Sequence, residues 1–440
     1  MLRQKALFTV TLKRSNSFLI GQRSRQSTWG NVPQAPPDKI LGLKDLFQAD
    51  DNPNKIDLGV GAYRDNNGNP WIPLSVRHAE NILYNTEKEK EYSPILGNNT
   101  FITCVQRLLF SQDAYGRRLL NDGRIATAQG LSGTGSLKIS AEFLRRFNPE
   151  GPVMSPDPTW ANHKSIMQYS GLRTETYRYY DCNKKSINIE GMLDDINMCK
   201  PGTVISIHLC CHNPTGADLK LEDWHKVIEI LHHKELIPFF DSAYLGLCSG
   251  DPIKDLKPLF MVNKAVVEGH LPTYLLAQSF AKNMGLYGER VGSFSIICSD
   301  KSEKQRVNSQ LAQIVRSTYS SPPCHGSKLV SIILSNENLY SEWLTDIKTM
   351  AERLNSVRIM LFESLTNKYH SDVDWSHLLT QRGMFCLSGL TRQQVQRLRS
   401  ERSIYMTPDG RISLAGINSS NSDYLARSIC DVTSKKITSH

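Results

Sequence analysis

The chain has 440 residues, 40% hydrophobic and 22% charged, the balance of an ordinary soluble globular protein with room for two or three domains. No run reaches the roughly 18 consecutive apolar residues of a membrane-spanning helix, so any bilayer contact would be peripheral. The formal net charge is +9, but Arg3, Lys5, Lys13, Arg14, Arg23 and Arg25 crowd the amino terminus, and without these six the charge falls to +3, which removes the main electrostatic support for nucleic-acid binding.

In chain order, the basic opening "MLRQKALFTVTLKRSNSFLIGQRSRQSTWG" is rich in serine and threonine and has no acidic residue before Asp38. Residues 1–28 therefore read as a transit peptide for the mitochondrial matrix; a secretory signal would need a cleaner apolar block than 6–12, which Thr9 and Thr11 interrupt. Residues 29–40, with Pro33, Pro36 and Pro37, read as an extended arm of the kind that lies on a neighbouring subunit, and a short helix begins near Gly42. From about 120 to 300, the runs "RIATAQ", "PVMSP", "TVISIHL", "IPFFD", "TYLLAQ" and "GSFSIIC" alternate with helical patterns. That alternation predicts an α/β domain over 71–342, with a largely parallel sheet buried on both faces.

Residues 341–365 carry Trp343, Ile347, Met350, Leu354, Val357 and Leu361 at steps of four and three, one long amphipathic helix. Beyond it come a Thr391…Gln394 capping box, a strand at 404–406, a Pro408-Asp409-Gly410 turn and a second strand from Arg411. These elements, with 41–70, predict a smaller α+β domain over 41–70 and 343–440. The ten cysteines are scattered and form no C-x-x-C pair, so their spacing implies neither a metal site nor a disulfide framework, and reduced thiols are expected.

Ligands of open α/β sheets bind beyond the carboxyl ends of the strands. After "RIATAQ" comes "GLSGTGS", whose glycines let backbone amides approach an anion, with a helix expected to start immediately after them. It is not a P-loop, since no Lys-Ser/Thr follows, and it lacks the third glycine of a dinucleotide fingerprint. After "PVMSP" come Trp160, a flat stacking surface, and His163; after "TVISIHL" comes Asn213 before a Pro-Thr-Gly turn. Asp241 ends the apolar run "IPFF" and needs a cationic or hydrogen-bonded partner, with Tyr244 one turn on. Lys282 follows "TYLLAQSFA" among Phe280, Ala281 and Met284, with Arg290 eight residues later. Desolvation and like charge should lower its pKa, as in Schiff-base lysines.

Taken singly, these groups admit plainer accounts: a tight turn, a core tryptophan, a surface histidine, turn chemistry, a solvated cation. Together they describe a site for pyridoxal 5′-phosphate, whose aldehyde needs the lysine, whose ring nitrogen needs the acid, and whose phosphate needs amides, hydroxyls and an arginine.

The segments "LGVGAYRD", "LSGTGS", "DPTWANH", "HNPTG", "FFDSAY", "SFAKNMGLYGERVG" and "GRISLAG", in this order from about Trp29 to the carboxyl terminus, closely resemble the aspartate aminotransferases of the class I, fold type I pyridoxal-phosphate family, the mitochondrial form above all. The resemblance implies that Lys282 bonds the cofactor aldehyde and shuttles the substrate proton, that Asp241 pairs with the ring nitrogen with His163 behind it, and that Asn213 and Tyr244 bond the phenolic oxygen. It implies that Trp160 stacks on the ring, and that Ser132, Gly133, Thr134, Ser279 and Arg290 hold the phosphate together with Tyr92 of the other subunit of a homodimer. Arg411, with Gly61 nearby, would clamp the α-carboxylate of the substrate, and Arg316 of the neighbouring subunit would read the side-chain carboxylate.

The implied reaction moves an amino group from L-aspartate to 2-oxoglutarate. Ser93 and its neighbours after Tyr92, Leu245, Ser321, Ser420 and Ser422 depart from the usual pattern without removing a catalytic group. Such departures suit a diverged paralogue. The alternatives are therefore a broader aminotransferase, acting on aromatic amino acids or kynurenine, and a weakly active or non-catalytic homologue.

Overall fold

The computed structural model describes residues 27–35 and 41–434. The described residues fall into two units, 27–35 and 41–434. In the first, residues 28–31 make a turn, with Gly30 N–H donating to the Ser27 carbonyl and Val32 N–H to that of Trp29. The expected leader up to residue 26, and residues 36–40 of the expected arm, lie outside the described residues.

The second unit is built around a seven-stranded sheet. Its strands are β1 (Ile125–Leu131), β2 (Val153–Asp157), β3 (Thr174–Arg178), β4 (Val204–His208), β5 (Ile237–Ser242), β6 (Leu275–Ser279) and β7 (Val291–Ile297). They lie in the order β1-β7-β6-β5-β4-β2-β3. β7 runs antiparallel to both neighbours and all other pairs are parallel. Six of these strands match the runs expected from sequence. The seventh, β3, is the far edge; its residues are mostly exposed and include the charged Glu175 and Arg178, which blunts the edge but hides the strand from a search for apolar runs.

Every residue of β4, β6 and β7 is buried, as strands covered on both faces require. The two-residue side-chain period divides them between two cores. Val204, Leu275 and Ala277 face Leu137, Ala141 and Leu144 of the helix Ser132–Phe147 and Leu311 and Val315 of Lys301–Thr318. Ile205, Ile207 and Leu276 face Trp224, Leu259, Val262, Leu329 and Trp343 on the other side.

A third apolar cluster joins Ile56, Leu58 and Tyr63 to residues of the carboxyl-terminal quarter, among them Leu398, Ile404, Ile412 and Ile429. The expected long helix spans Glu337–Glu363 and continues as a π-helical turn, Ser364–Lys368. Its first half places Trp343 and Ile347 in the core beneath the sheet, its second half Met350, Leu354, Val357 and Leu361 in the third cluster. The Thr391 capping box is present. The strands that follow do not pair with each other. Ile404–Tyr405 runs parallel to Ile56–Asp57, while Arg411–Ser413 runs antiparallel to Phe385–Leu387. These pairings, with Ser413 N–H donating to the Leu58 carbonyl at 2.8 Å, bring the 58–61 segment alongside Arg411. No helix among the described residues is long and apolar enough to cross a membrane.

Candidate active site

The carboxyl ends of β4, β5 and β6 open into a cleft of about 210 Å³. Strand register sets Asp241 beside His208 on one side and Ala277 on the other. Asp241 Oδ2 accepts from His163 Nε2 at 2.9 Å, and His163 Nδ1 lies 2.9 Å from Thr159 Oγ1, which fixes the ring. Burial acts to raise the Asp241 pKa, but the His163 hydrogen bond and nearby cationic groups, Lys282 among them, outweigh it, so the carboxyl sits below its ordinary value. Its second oxygen, Oδ1, is buried without a hydrogen-bond partner among the described residues. An ionised, desolvated oxygen left unpaired is costly unless a donor arrives from the cleft.

Lys282 enters the cleft three residues after β6, with Nζ 4.9 Å from the centroid of the Tyr244 ring. Burial lowers its pKa and the charge of Arg290 adds to this, with Asp241 opposing; the net shift favours the neutral, nucleophilic amine. Asn213 Nδ2 donates to Tyr244 OH at 3.2 Å. Burial raises the Tyr244 pKa far enough to keep the phenol protonated. Trp160 lines the cleft, its ring edge-on to His163.

One end of the cleft is an anion cradle. The helix Ser132–Phe147 begins at Ser132, a turn earlier than the sequence suggested, so Gly133 and Thr134 lie within its first turn; no side chain caps it. Its free amides therefore face the cleft with the helix dipole behind them. Ser132 Oγ lies 3.0 Å from Ser279 Oγ, and Arg290 closes the cradle, Nη1 donating to the Tyr287 carbonyl. Ser132, Cys211 and Arg290 all have positive φ, at 62°, 54° and 52°, a conformation costing roughly 1 kcal/mol or more for a residue with a Cβ. The cradle also depends on Gly292 of β7, where an added Cβ would lie 2.8 Å from the Ser132 carbonyl oxygen and 2.5 Å from that of Gln278.

At the other end is Arg411. Its Nη2 donates to the Gly59 carbonyl at 3.1 Å, Nη1 reaches Asn213 Oδ1 at 3.5 Å, and its guanidinium lies 4.5 Å from the Phe385 ring centroid. Arg411 Nε is buried and unpartnered among the described residues, a donor held ready for an oxygen. Gly61 lines the same end.

The cleft thus gathers thirteen of the fifteen residues singled out in the sequence or lies against them, Ser279 through Ser132 and His163 through Asp241. Tyr92 and Arg316 are elsewhere. Tyr92 is 90% exposed and Arg316 is exposed, donating to Ser320 Oγ. Their segments are pinned together, Ser93 Oγ donating to the Pro322 carbonyl at 2.6 Å and Cys324 Sγ to that of Glu91 at 3.5 Å. Sequence reasoning missed His208, Tyr287 and Phe385 as lining residues. His208 ends a strand and Tyr287 sits inside the Lys282 motif, so both were within reach of the strand-end argument; Phe385 carries no local signal.

An α/β enzyme is thereby defined, with a desolvated lysine facing a buried carboxylate between an anion cradle and a fixed guanidinium. The chain belongs to the family described as aminotransferase class I and II, which matches residues 53–429. It is 43% identical over 431 residues to the mitochondrial aspartate aminotransferase of Xenopus tropicalis, covering 98% of this chain and 99% of that one. Among solved structures it is similar to the aromatic-amino-acid aminotransferase of Burkholderia pseudomallei covalently bound to pyridoxal phosphate, with a TM-score of 0.88, 39% identity and coverage of 93% and 100% of the two chains. It is similar as well to the aspartate aminotransferase of Saccharomyces cerevisiae cytoplasm, with a TM-score of 0.89, 37% identity and coverage of 92% and 98%.

Proposed function

We propose that the chain is a pyridoxal-phosphate-dependent aspartate aminotransferase, moving the amino group of L-aspartate to 2-oxoglutarate by a ping-pong cycle and acting as a homodimer. The observation that carries this reading is the orphaned Oδ1 of Asp241, a buried acceptor facing the same cleft as Lys282. It fits a protonated ring nitrogen, as the uncapped helix start fits a phosphate and Lys282 an aldehyde. When bound, pyridoxal phosphate supplies that aldehyde and a ring that withdraws electrons from the substrate Cα.

The protein's own residues do the rest. Asp241, ionised and braced by His163, keeps the ring nitrogen protonated. Lys282, its neutral amine favoured by burial, would hold the cofactor aldehyde and would carry the proton to and from the substrate Cα. Asn213 and Tyr244 donate to the phenolic oxygen, and Trp160 covers one face of the ring. Gly133 and Thr134 amides, the Ser132 and Ser279 hydroxyls and Arg290 bind the phosphate, joined by Tyr92 of the partner subunit. Arg411 grips the α-carboxylate beside Gly61, and Arg316 of the partner subunit takes the second carboxylate. The exposure of Tyr92 and Arg316 outside their own cleft supports this sharing of sites.

The separate apolar clusters support reading 71–342 as a large domain and 41–70 with 343–440 as a small one, with the helix Glu337–Glu363 linking them. The basic, acid-free residues 1–28 and the Xenopus relative's name support import into mitochondria. A reporter carrying residues 1–28 that stays in the cytosol would remove that assignment.

The deciding experiment is half-transamination. Adding L-aspartate alone to the purified yellow protein should convert the bound cofactor from its aldehyde to its amine form in one turnover; an unchanged spectrum overturns the function. A second reading, a broader specificity that includes aromatic donors, is favoured by the similarity to the Burkholderia structure. Arg316→Ala separates the two. Loss of a paired guanidinium costs about 3 kcal/mol, so aspartate kcat/KM should fall by roughly a hundredfold while an aromatic donor is spared.

A further inference from the structure

The ten cysteines show no ligand spacing along the chain, yet the fold brings three of them together. Cys210 and Cys211 lie on the turn after β4, Cys248 on the loop after β5, and the thiol of Cys211 interacts with those of both Cys210 and Cys248. Asp218 faces the same point. Its Oδ2 is 3.7 Å from Cys248 Sγ, and one donor atom from each of Cys211, Asp218 and Cys248 lies within 4.8 Å of the others. All three thiols are free. We propose that Cys211, Cys248 and Asp218 bind one thiophilic d¹⁰ cation of the zinc class, with Cys210 adjacent.

Tetrahedral zinc with Zn–S near 2.3 Å and Zn–O near 2.0 Å separates a sulfur and an oxygen ligand by about 3.5 Å, close to the observed spacing. Asp218 is already aimed, its two oxygens accepting the backbone N–H groups of Cys211 at 2.7 Å and His212 at 2.8 Å, the sort of outer bonding that orients metal-ligating carboxylates. Charge also closes. Two thiolates and a carboxylate balance a divalent cation plus the guanidinium of Arg358, which is buried, donates to the Arg382, Gly383 and Phe385 carbonyls and acts electrostatically on both Cys211 and Asp218. Entry is open, since Cys248 and Asp218 are only partly buried. Cys211 is fixed in place by Gly383, whose φ is +80° and where an added Cβ would come within 2.5 Å of the Cys211 Cβ.

Metal binding releases both thiol protons to solvent. The site is distinct from the catalytic cleft, which none of the three ligands lines. It is nonetheless joined to it by short covalent paths. Cys211 precedes Asn213 by two residues and Cys248 follows Tyr244 by four, so an occupied site ties together the two loops whose Asn213–Tyr244 hydrogen bond faces the cofactor position.

The test uses the reduced, full-length protein with its cofactor and titrates Co²⁺ as a spectroscopic stand-in, read in the visible d–d bands beyond the cofactor's absorption. One equivalent with the intensity of a tetrahedral thiolate site is expected, displaced by Zn²⁺, and Zn²⁺ should raise the Tm. Cys248→Ala should weaken binding by about tenfold or more. Cys182→Ala, at an exposed thiol, should leave it unchanged. Absent or octahedral-type bands, or binding that survives Cys248→Ala, overturns the proposal. Because Cys248 is partly exposed, its alanine variant is expected to fold, and retained cofactor colour verifies that; Asp218→Asn gives a second ligand deletion. The assay reads metal rather than transamination, so its failure leaves the aminotransferase reading standing, and the failure of half-transamination leaves the metal site standing.

Discussion

Lys282 is desolvated where a lysine would ordinarily be hydrated, and this has a measurable cost in the protein stripped of cofactor. Its folded pKa lies below the ordinary 10.5. Between the two values the unfolded chain holds a proton that the folded chain lacks, so stability rises with pH across that window, and below the folded pKa the full penalty remains. Lys282→Met should therefore be the more stable protein near neutral pH, by chemical denaturation, with the gap closing as pH climbs toward 10.5. A gap independent of pH would contradict the desolvation argument. For Asp241 the expectation concerns affinity. Asp241→Asn keeps the shape and removes the charge, and a hydrogen bond to a charged group is worth roughly 1.5–3 kcal/mol, so pyridoxal phosphate should bind about ten- to a hundredfold more weakly in equilibrium dialysis. At this scale the site was legible because side chains at the ends of apolar strands have one place to point. The companion residues were less so. Phe385 reaches Arg411 through a pairing between chain segments that no local pattern announces.

At the scale of elements, β7 and the helix Ser132–Phe147 must approach almost to backbone contact for the anion cradle to form. Gly292→Ala places a methyl against the Ser132 and Gln278 carbonyl oxygens. Overpacking of this kind costs about 1–3 kcal/mol, and the expected result is a lower Tm together with loss of phosphate-dependent cofactor binding. The long helix offers a contrasting test. Trp343 is fully buried and donates from Nε1 to the Asn283 carbonyl at 2.9 Å, next to Lys282 in sequence. Trp343→Ala should cost about 3–5 kcal/mol by denaturant unfolding. The long helix was readable from its periodicity and the buried strands from their apolar runs. The edge strand β3 was not, because it buries little, and the strands near 404 and 411 were placed correctly but their partners were not foreseeable, since Ile404 pairs with distant Ile56 and Arg411 with Leu387 across an intervening helix, registers decided by packing rather than by a turn between them.

For the whole molecule the proposed sharing of sites is most open to a direct check. If each cleft takes Lys282 from one subunit and Arg316 from the other, chains carrying Lys282→Ala and chains carrying Arg316→Ala are each inactive toward aspartate alone. Mixed by co-expression, half of the dimers are hybrids, and each hybrid has one intact site and one doubly damaged site. Roughly a quarter of wild-type activity should return. No recovery would mean that each subunit is catalytically self-contained. The exposure of Tyr92 and Arg316 on segments pinned to one another is what motivates the experiment.

The reversed strand β7 has a bearing on biosynthesis. β1, which emerges early, hydrogen-bonds within the sheet to β7 alone, and β7 is the last strand of that sheet to be made. A nascent chain between roughly residue 131 and residue 291 thus carries a finished strand whose backbone edges have no strand of the sheet to pair with. Ribosome-stalled or truncated products ending in that interval should clump or recruit chaperones, and products extending past residue 297 should not.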